Sequence, residues 1–214
     1  MALSYAERDL LARDFPALDP VVVPCGLPER TAGPAPDRVE DHDEPPEVLS
    51  VGRLVGYKRV DVVIEALARL PDFRLEVVGT GPEREALGRL VSGLDLAGRV
   101  RLASAVGDGE LARRYSRASV LVALSRYESF GLTILEALAA GLPVVASDIP
   151  AHRELNRFDE HGALRLVGEP ATPTLVAAAI RQAVGTGRLP PSTQVPTWDQ
   201  VAERHEELYR EAAR

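Results

Sequence analysis

Two cations and two carboxylates stand out in this sequence by type and spacing. Arg53 and Lys58 lie in GRLVGYK (52–58), and Glu128 and Glu136 in SRYESFGLTILE (125–136). Lys58 is the only lysine in a chain with 25 lysines and arginines combined. A compact, rotatable ammonium differs from a planar guanidinium where it must meet a point on an anion, so a lone lysine in an arginine-rich chain is a candidate functional position, weighed equally against a lysine left by biased codon supply or one that caps a helix. Cations suit phosphates. A carboxylate accepts two O–H protons at once and suits vicinal hydroxyls. Between the two acids, Ser129, Phe130, Gly131 and Leu132 lead into a helical pattern. The first amides of a helix lack intrahelical partners, and its dipole favours an anion there. Gly131 admits a ligand close to the backbone. Glu136, inside the apolar run TILEALAAG, must find a partner or face a cavity. Taken singly, Arg53 or Glu128 reads equally well as a solvated surface residue; the set together specifies a sugar nucleotide.

These residues need elements to bring them together. Short apolar, β-branched runs at 47–52, 73–79, 99–103, 119–124, 143–147 and 163–167 predict six strands. Helical patterns near 59–70, 82–93, 108–117, 131–140, 151–156 and 173–184 alternate with them. This alternation predicts an α/β fold, a doubly wound parallel six-stranded Rossmann-like sheet. In the common order 3-2-1-4-5-6, strands one and four lie side by side where the order reverses, and ligands bind beyond their C-terminal ends. Gly52, Arg53 and Lys58 directly follow strand one, and the segment from Ser125 to Glu136 follows strand four. The two segments are therefore expected to form facing walls of one crevice.

The ends read differently. An amphipathic helix over 3–13 and a lone strand at VVV (21–23) form an N-terminal helix, strand and hinge within 1–30. Residues 31–46 are a Pro-rich acidic loop, and 47–184 are the nucleotide-sugar-binding domain. A linker and a closing helix capped by Thr197 fill 185–214.

A net charge of −7 argues against nucleic-acid or anionic-membrane partners, so an anionic ligand must be captured locally. No apolar run approaches a membrane span, and the charged N-terminus lacks a secretory core, which implies a cytoplasmic protein. The single Cys25 excludes an internal disulfide framework and a Cys-based zinc site. His42, His152, His161 and His205 are scattered through unlike segments and suggest no histidine cluster.

VGRLVGYKRVDVVIEAL, LEVVGTGPERE, ESFGLTILEALAAGLPVVAS and the weaker PAHREL together resemble the C-terminal, donor-binding domain of retaining family-4 glycosyltransferases with GT-B architecture. VVVPCGLP resembles that family's strand and turn into the domain, and TWDQVAERHEELY its closing helix. The resemblance implies transfer of a hexosyl group from a nucleoside-diphosphate sugar without a metal or other cofactor. It implies that Arg53 and Lys58 hold the diphosphate and the charge left on the departing nucleotide. Glu128 would contact the transferred sugar and Glu136 the ribose. Backbone at Phe130, Gly131 and Leu132 would meet phosphate or sugar, and backbone near Val106 would edge the base. The acceptor surface would belong to an N-terminal domain or a separate chain. Ser104 stands where the family usually has Gly, Leu124 where Pro is common, and Cys25 where Asn is usual.

Other readings fit less of the sequence. VVGTGPER begins like a dinucleotide-binding G-x-G-x-x-G, but Arg84 replaces the third Gly and no acid ends the strand at 99–103. DHD (41–43) resembles a D-x-D metal site but lies in the acidic loop with no strand to fix it. A non-catalytic sugar-nucleotide-binding or interaction module would share every local feature of an enzyme's donor half.

Overall fold

The computed structural model describes residues 1–28 and 44–213. Most of the proposed acidic loop, with DHD and His42, lies outside them. The apolar runs form six parallel strands: β1 (Glu47–Val51), β2 (Arg74–Val78), β3 (Val100–Ala103), β4 (Val120–Ala123), β5 (Val144–Ser147) and β6 (Leu164–Val167). Their order is β3-β2-β1-β4-β5-β6, as the sequence pattern predicts. β1 and β4 pair directly, Val48 with Val120 and Leu49 with Leu121. The switch point thus falls between the two segments that carry the candidate residues.

Eight helices accompany the strands among the described residues: α1 (Tyr5–Asp14), α2 (Val60–Leu67), α3 (Arg84–Gly93), α4 (Asp108–Arg117), α5 (Leu132–Ala139), α6 (Pro150–Glu154), α7 (Pro173–Gly185) and α8 (Trp198–Ala212). Successive strand side chains point to opposite faces, and both faces are covered. Val48, Val77 and Val120 pack with Ile64 of α2, Leu87 of α3 and Ile180 of α7. Their neighbours Leu49, Val78 and Leu121 pack on the other face with Tyr115 of α4 and Ile134 and Leu135 of α5. Burying each such side chain contributes roughly 1.5–3 kcal/mol, so the second layer holds α4 and α5 against the sheet.

The Gly-Thr-Gly run after β2 has a packing role. A Cβ at Gly79 would lie 1.9 Å from the Gly52 carbonyl oxygen, and one at Gly81 would lie 2.3 Å from that of Leu54. The glycines let the exits of β1 and β2 pair, with Gly52 N donating to Val78 O at 3.0 Å and Leu54 N to Thr80 O at 2.9 Å. Arg84 donates to the carbonyls of Leu102 and Ala103 at 2.7 and 3.3 Å. The resemblance to a dinucleotide fingerprint therefore comes from the joining of two strand ends.

Two terminal expectations change. α1 forms, capped by Ser4, but none of its residues is buried, so it is no amphipathic core helix. Its first turn is tied down by polar contacts, with Tyr5 N donating to Glu154 Oε2 at 2.7 Å. The VVV strand reduces to one bridge between Val22 and Ala2. Pro20 and Pro24 flank it and cannot donate to a longer ladder. At the other end, Thr197 and Gln200 form a reciprocal capping box for α8, and Leu27 bridges Thr197. The helix predicted near 151–156 is α6 followed by a 3₁₀ turn, Leu155–Phe158.

Candidate functional site

Beyond β1 the chain passes Gly52 and Arg53 into a 3₁₀ turn, Gly56–Lys58. Arg59 takes a left-handed conformation at φ 54° that ends this turn and opens α2. The exit of β4 comes to meet it. Arg126 N donates to Tyr57 O at 2.9 Å, and the Tyr57 and Tyr127 rings stack with centroids 4.7 Å apart. Lys58 Nζ lies 5.7 Å over the Tyr57 ring and donates to Glu128 Oε1 in an ion pair. Ser125 Oγ donates to the same carboxylate oxygen at 2.9 Å. Both charged side chains keep about a fifth of their surface exposed, 21% for Lys58 and 20% for Glu128, so the pair is reachable from solvent. Gly52, Arg53, Lys58, Ser125, Glu128 and Thr133 line one small cavity. Arg53 itself is exposed and makes no side-chain hydrogen bond or ion pair among the described residues.

α5 starts at this lip. Gly131 caps it at φ 97°. A Cβ there would sit 3.0 Å from Leu155 Cδ1 and 3.3 Å from His152 Cδ2. Ser129 and Leu132 are exposed beside it, whereas the Phe130 ring is buried edge-on against Phe158. Phe130 can therefore offer a ligand only its backbone. Below the lip, His152 is fully buried, with Nδ1 2.9 Å from the Ser147 carbonyl and Nε2 without a partner among the described residues. Burial holds its pKa below the usual histidine value, outweighing the Ser147 contact. Ser147 Oγ in turn donates to Ser125 O.

Glu136 departs from the expected arrangement. It does not line the Lys58–Glu128 cavity but a second one of about 440 Å³, shared with Gly26, Leu27, Asp108, Leu132 and Trp198. The first acid follows β4 before the helix starts, and the second lies on the α5 face toward α4. Tyr115 Oη donates to Glu136 Oε2 at 2.6 Å. Burial raises the Glu136 pKa, the Tyr115 contact opposes that rise, and the charge of Asp108 adds to it. Burial likewise pushes Tyr115 well above the usual phenol value, with the Glu136 carboxylate adding to the rise. The expected single crevice is thus two adjoining spaces, with Leu132 and the start of α5 between them.

Val106 is half-buried against the α4/α5 core, and the second cavity is lined by Asp108 and Gly109 rather than by Val106. Sequence reasoning missed Tyr115, Asp108 and Trp198. The available signal was Glu136 itself, which demanded a polar neighbour without saying which. Among the described residues no group of three or more His, Cys, Asp or Glu is placed to hold a metal ion, and no helix is long and apolar enough to cross a membrane.

A doubly wound parallel sheet with a cavity at the β1/β4 switch point places the chain in the Rossmann-like class of nucleotide-binding α/β folds. The chain superposes on the Anabaena protein Alr3699/HepE, solved in complex with UDP and glucose, with a TM-score of 0.81 at 20% identity, covering 98% of this chain and 62% of that one. The chain belongs to the family described as glycosyl transferases group 1, which residues 35–189 match. It is 34% identical to the D-inositol 3-phosphate glycosyltransferase of Kineococcus radiotolerans, over 99% of this chain and 57% of that protein. It is 37% identical to the lipopolysaccharide core biosynthesis glycosyltransferase LpsE of Rhizobium meliloti, over 67% of this chain and 41% of that protein. The chain therefore spans about half the length of these relatives, 57% and 41%.

Proposed function

We propose that this chain is the donor-binding half of a retaining glycosyltransferase that moves a hexosyl group from a nucleoside-diphosphate sugar without a metal. The acceptor is held by an N-terminal domain or a separate chain. One observation carries the reading: Lys58 and Glu128, 70 positions apart, meet beside the start of α5 at the switch point. Opposite charges that hold each other there can each take part of a ligand carrying both phosphates and hydroxyls. An arriving diphosphate draws the Lys58 ammonium toward itself, with Arg53 joining from the rim and the α5 amides at Gly131 and Leu132 facing the phosphate. Glu128, still held by Ser125, is then released to accept hydroxyl protons of the sugar. As the glycosidic bond breaks, negative charge grows on the departing diphosphate, and a mobile ammonium nearby stabilises that charge most where it develops. The second cavity takes the nucleoside, with Glu136 on the ribose. The glycosyltransferase names of the relatives and the UDP and glucose in the HepE complex support this reading.

A thermal-shift panel of GDP, UDP, ADP and their sugars tests it. At least one nucleoside diphosphate is expected to raise the melting temperature. A chain that none of them stabilises, and that binds NADH instead, would overturn the proposal.

A further inference from the structure

We propose that Tyr115 is a positioning residue for Glu136: its hydroxyl fixes one carboxylate oxygen so that the other is presented to the ribose hydroxyls of a nucleoside. This rests on the reading of the second cavity as the nucleoside site. Tyr115 is 2% exposed, and a phenol hydroxyl at that depth needs a partner. Its partner is Glu136 Oε2 at 2.6 Å, while Glu136 Oε1 has no hydrogen bond among the described residues. The contact is built to hold its length. Arg188 Nη1 donates to the carbonyls of Tyr115 and Ala118 near the end of α4, at 3.1 and 3.0 Å. Its Nη2 donates to Ala140 O at the end of α5, at 2.7 Å. One guanidinium therefore clamps the two helices from which the Tyr115 and Glu136 side chains meet.

The hydroxyl also acts on charge. Burial and the Asp108 carboxylate both favour a protonated Glu136, and the donated bond from Tyr115 opposes them. A protonated Glu136 can accept fewer ribose hydroxyls. The walls formed by Gly26, Leu27, Pro28 and Trp198 bring no further titratable group, so Tyr115 and Asp108 are the titratable groups that face Glu136 across the lining. Substrate recognition then depends on a residue that need not touch the substrate.

The test is calorimetry with the nucleoside diphosphate chosen by the thermal-shift panel and its 2′-deoxy analogue, across a pH series. The proteins are wild type, Tyr115→Phe, Glu136→Gln and the double variant. Removing one hydrogen-bonding hydroxyl at Tyr115→Phe is expected to cut the preference for ribose about threefold to tenfold. It should also move the acid loss of binding to higher pH, leave inorganic pyrophosphate affinity unchanged, and add nothing to Glu136→Gln. Wild-type preference and pH profile retained in Tyr115→Phe would overturn the proposal alone. No ribose preference in the wild type would overturn the nucleoside reading with it. Should Tyr115→Phe fail to fold, Glu136→Asp withdraws the carboxylate from the hydroxyl, and unchanged discrimination there would be equally fatal.

Discussion

The two cavities flanking α5 hold their carboxylates in opposite ways. Glu128 is near solvent, paired with a cation and a serine hydroxyl. Glu136 is set against a neutral phenol in a mostly apolar recess, and burial raises its pKa. An ion pair at a lip can be exchanged for another anion at small cost, because water already screens both partners. A desolvated carboxylate with one neutral donor keeps strong demand for further hydroxyl protons. The first arrangement suits a group whose charge changes during reaction, and the second suits a group that must be recognised and left unaltered.

The largest effect that should separate the two regions is at Lys58. Lys58→Ala is expected to weaken nucleoside-diphosphate binding by about 1.5–3 kcal/mol, the scale of one charge-assisted hydrogen bond at a partly exposed lip. Wild-type affinity by calorimetry would remove Lys58 from the site. Next comes Gly131, which joins the regions. Its left-handed φ strains any residue with a Cβ, and the Leu155 and His152 side chains would have to give by a few tenths of an ångström, so Gly131→Ala should cost about 1–3 kcal/mol in urea unfolding. Unchanged stability would show that α5 starts without that constraint.

Glu136 should respond to pH in two opposed directions. Its folded pKa is raised, so the ionised form costs stability at neutral pH, and that cost is relieved as pH falls through the raised value. Nucleoside binding, which needs the carboxylate, should weaken over the same interval. Glu136→Gln is accordingly expected to melt no lower than wild type at pH 7 while losing about threefold to tenfold of its ribose preference. Parallel pH profiles for melting and binding would contradict this assignment. The smallest effect belongs to Arg53, exposed on the rim. Arg53→Ala should cost about 0.2–1 kcal/mol, most at low ionic strength. A larger, salt-independent loss would place Arg53 inside the charge site with Lys58.

The sheet was legible in the sequence because its signal is local. Each strand is a short β-branched run, and Gly131, Gly141 and Thr197 punctuate the helices where their φ values or side-chain bonds require. The lip was legible for the same reason, since Lys58 and Glu128 each directly follow a strand whose neighbour the topology fixes. The second cavity was not. Tyr115 reads as an ordinary apolar position of α4, and its role depends on how α4 and α5 pack, which Arg188 sets from a distant loop. Trp198 reaches that cavity only because Thr197 bridges Leu27, a pairing across 170 positions that no periodicity reports. α1 misled in the other direction. Its leucines have helical spacing, yet Leu10 is 51% exposed, because spacing alone does not say whether a helix has a surface to lie against.

The most direct measurement compares three ligands by calorimetry: a nucleoside diphosphate, its nucleoside and inorganic pyrophosphate, each against wild type, Lys58→Ala and Glu136→Gln. If the two spaces hold the two halves of one molecule, Lys58→Ala weakens pyrophosphate and the diphosphate but not the nucleoside. Glu136→Gln should then weaken the nucleoside and the diphosphate but not pyrophosphate. Either variant affecting all three ligands alike, or none, would contradict the division of labour between the lip and the cavity.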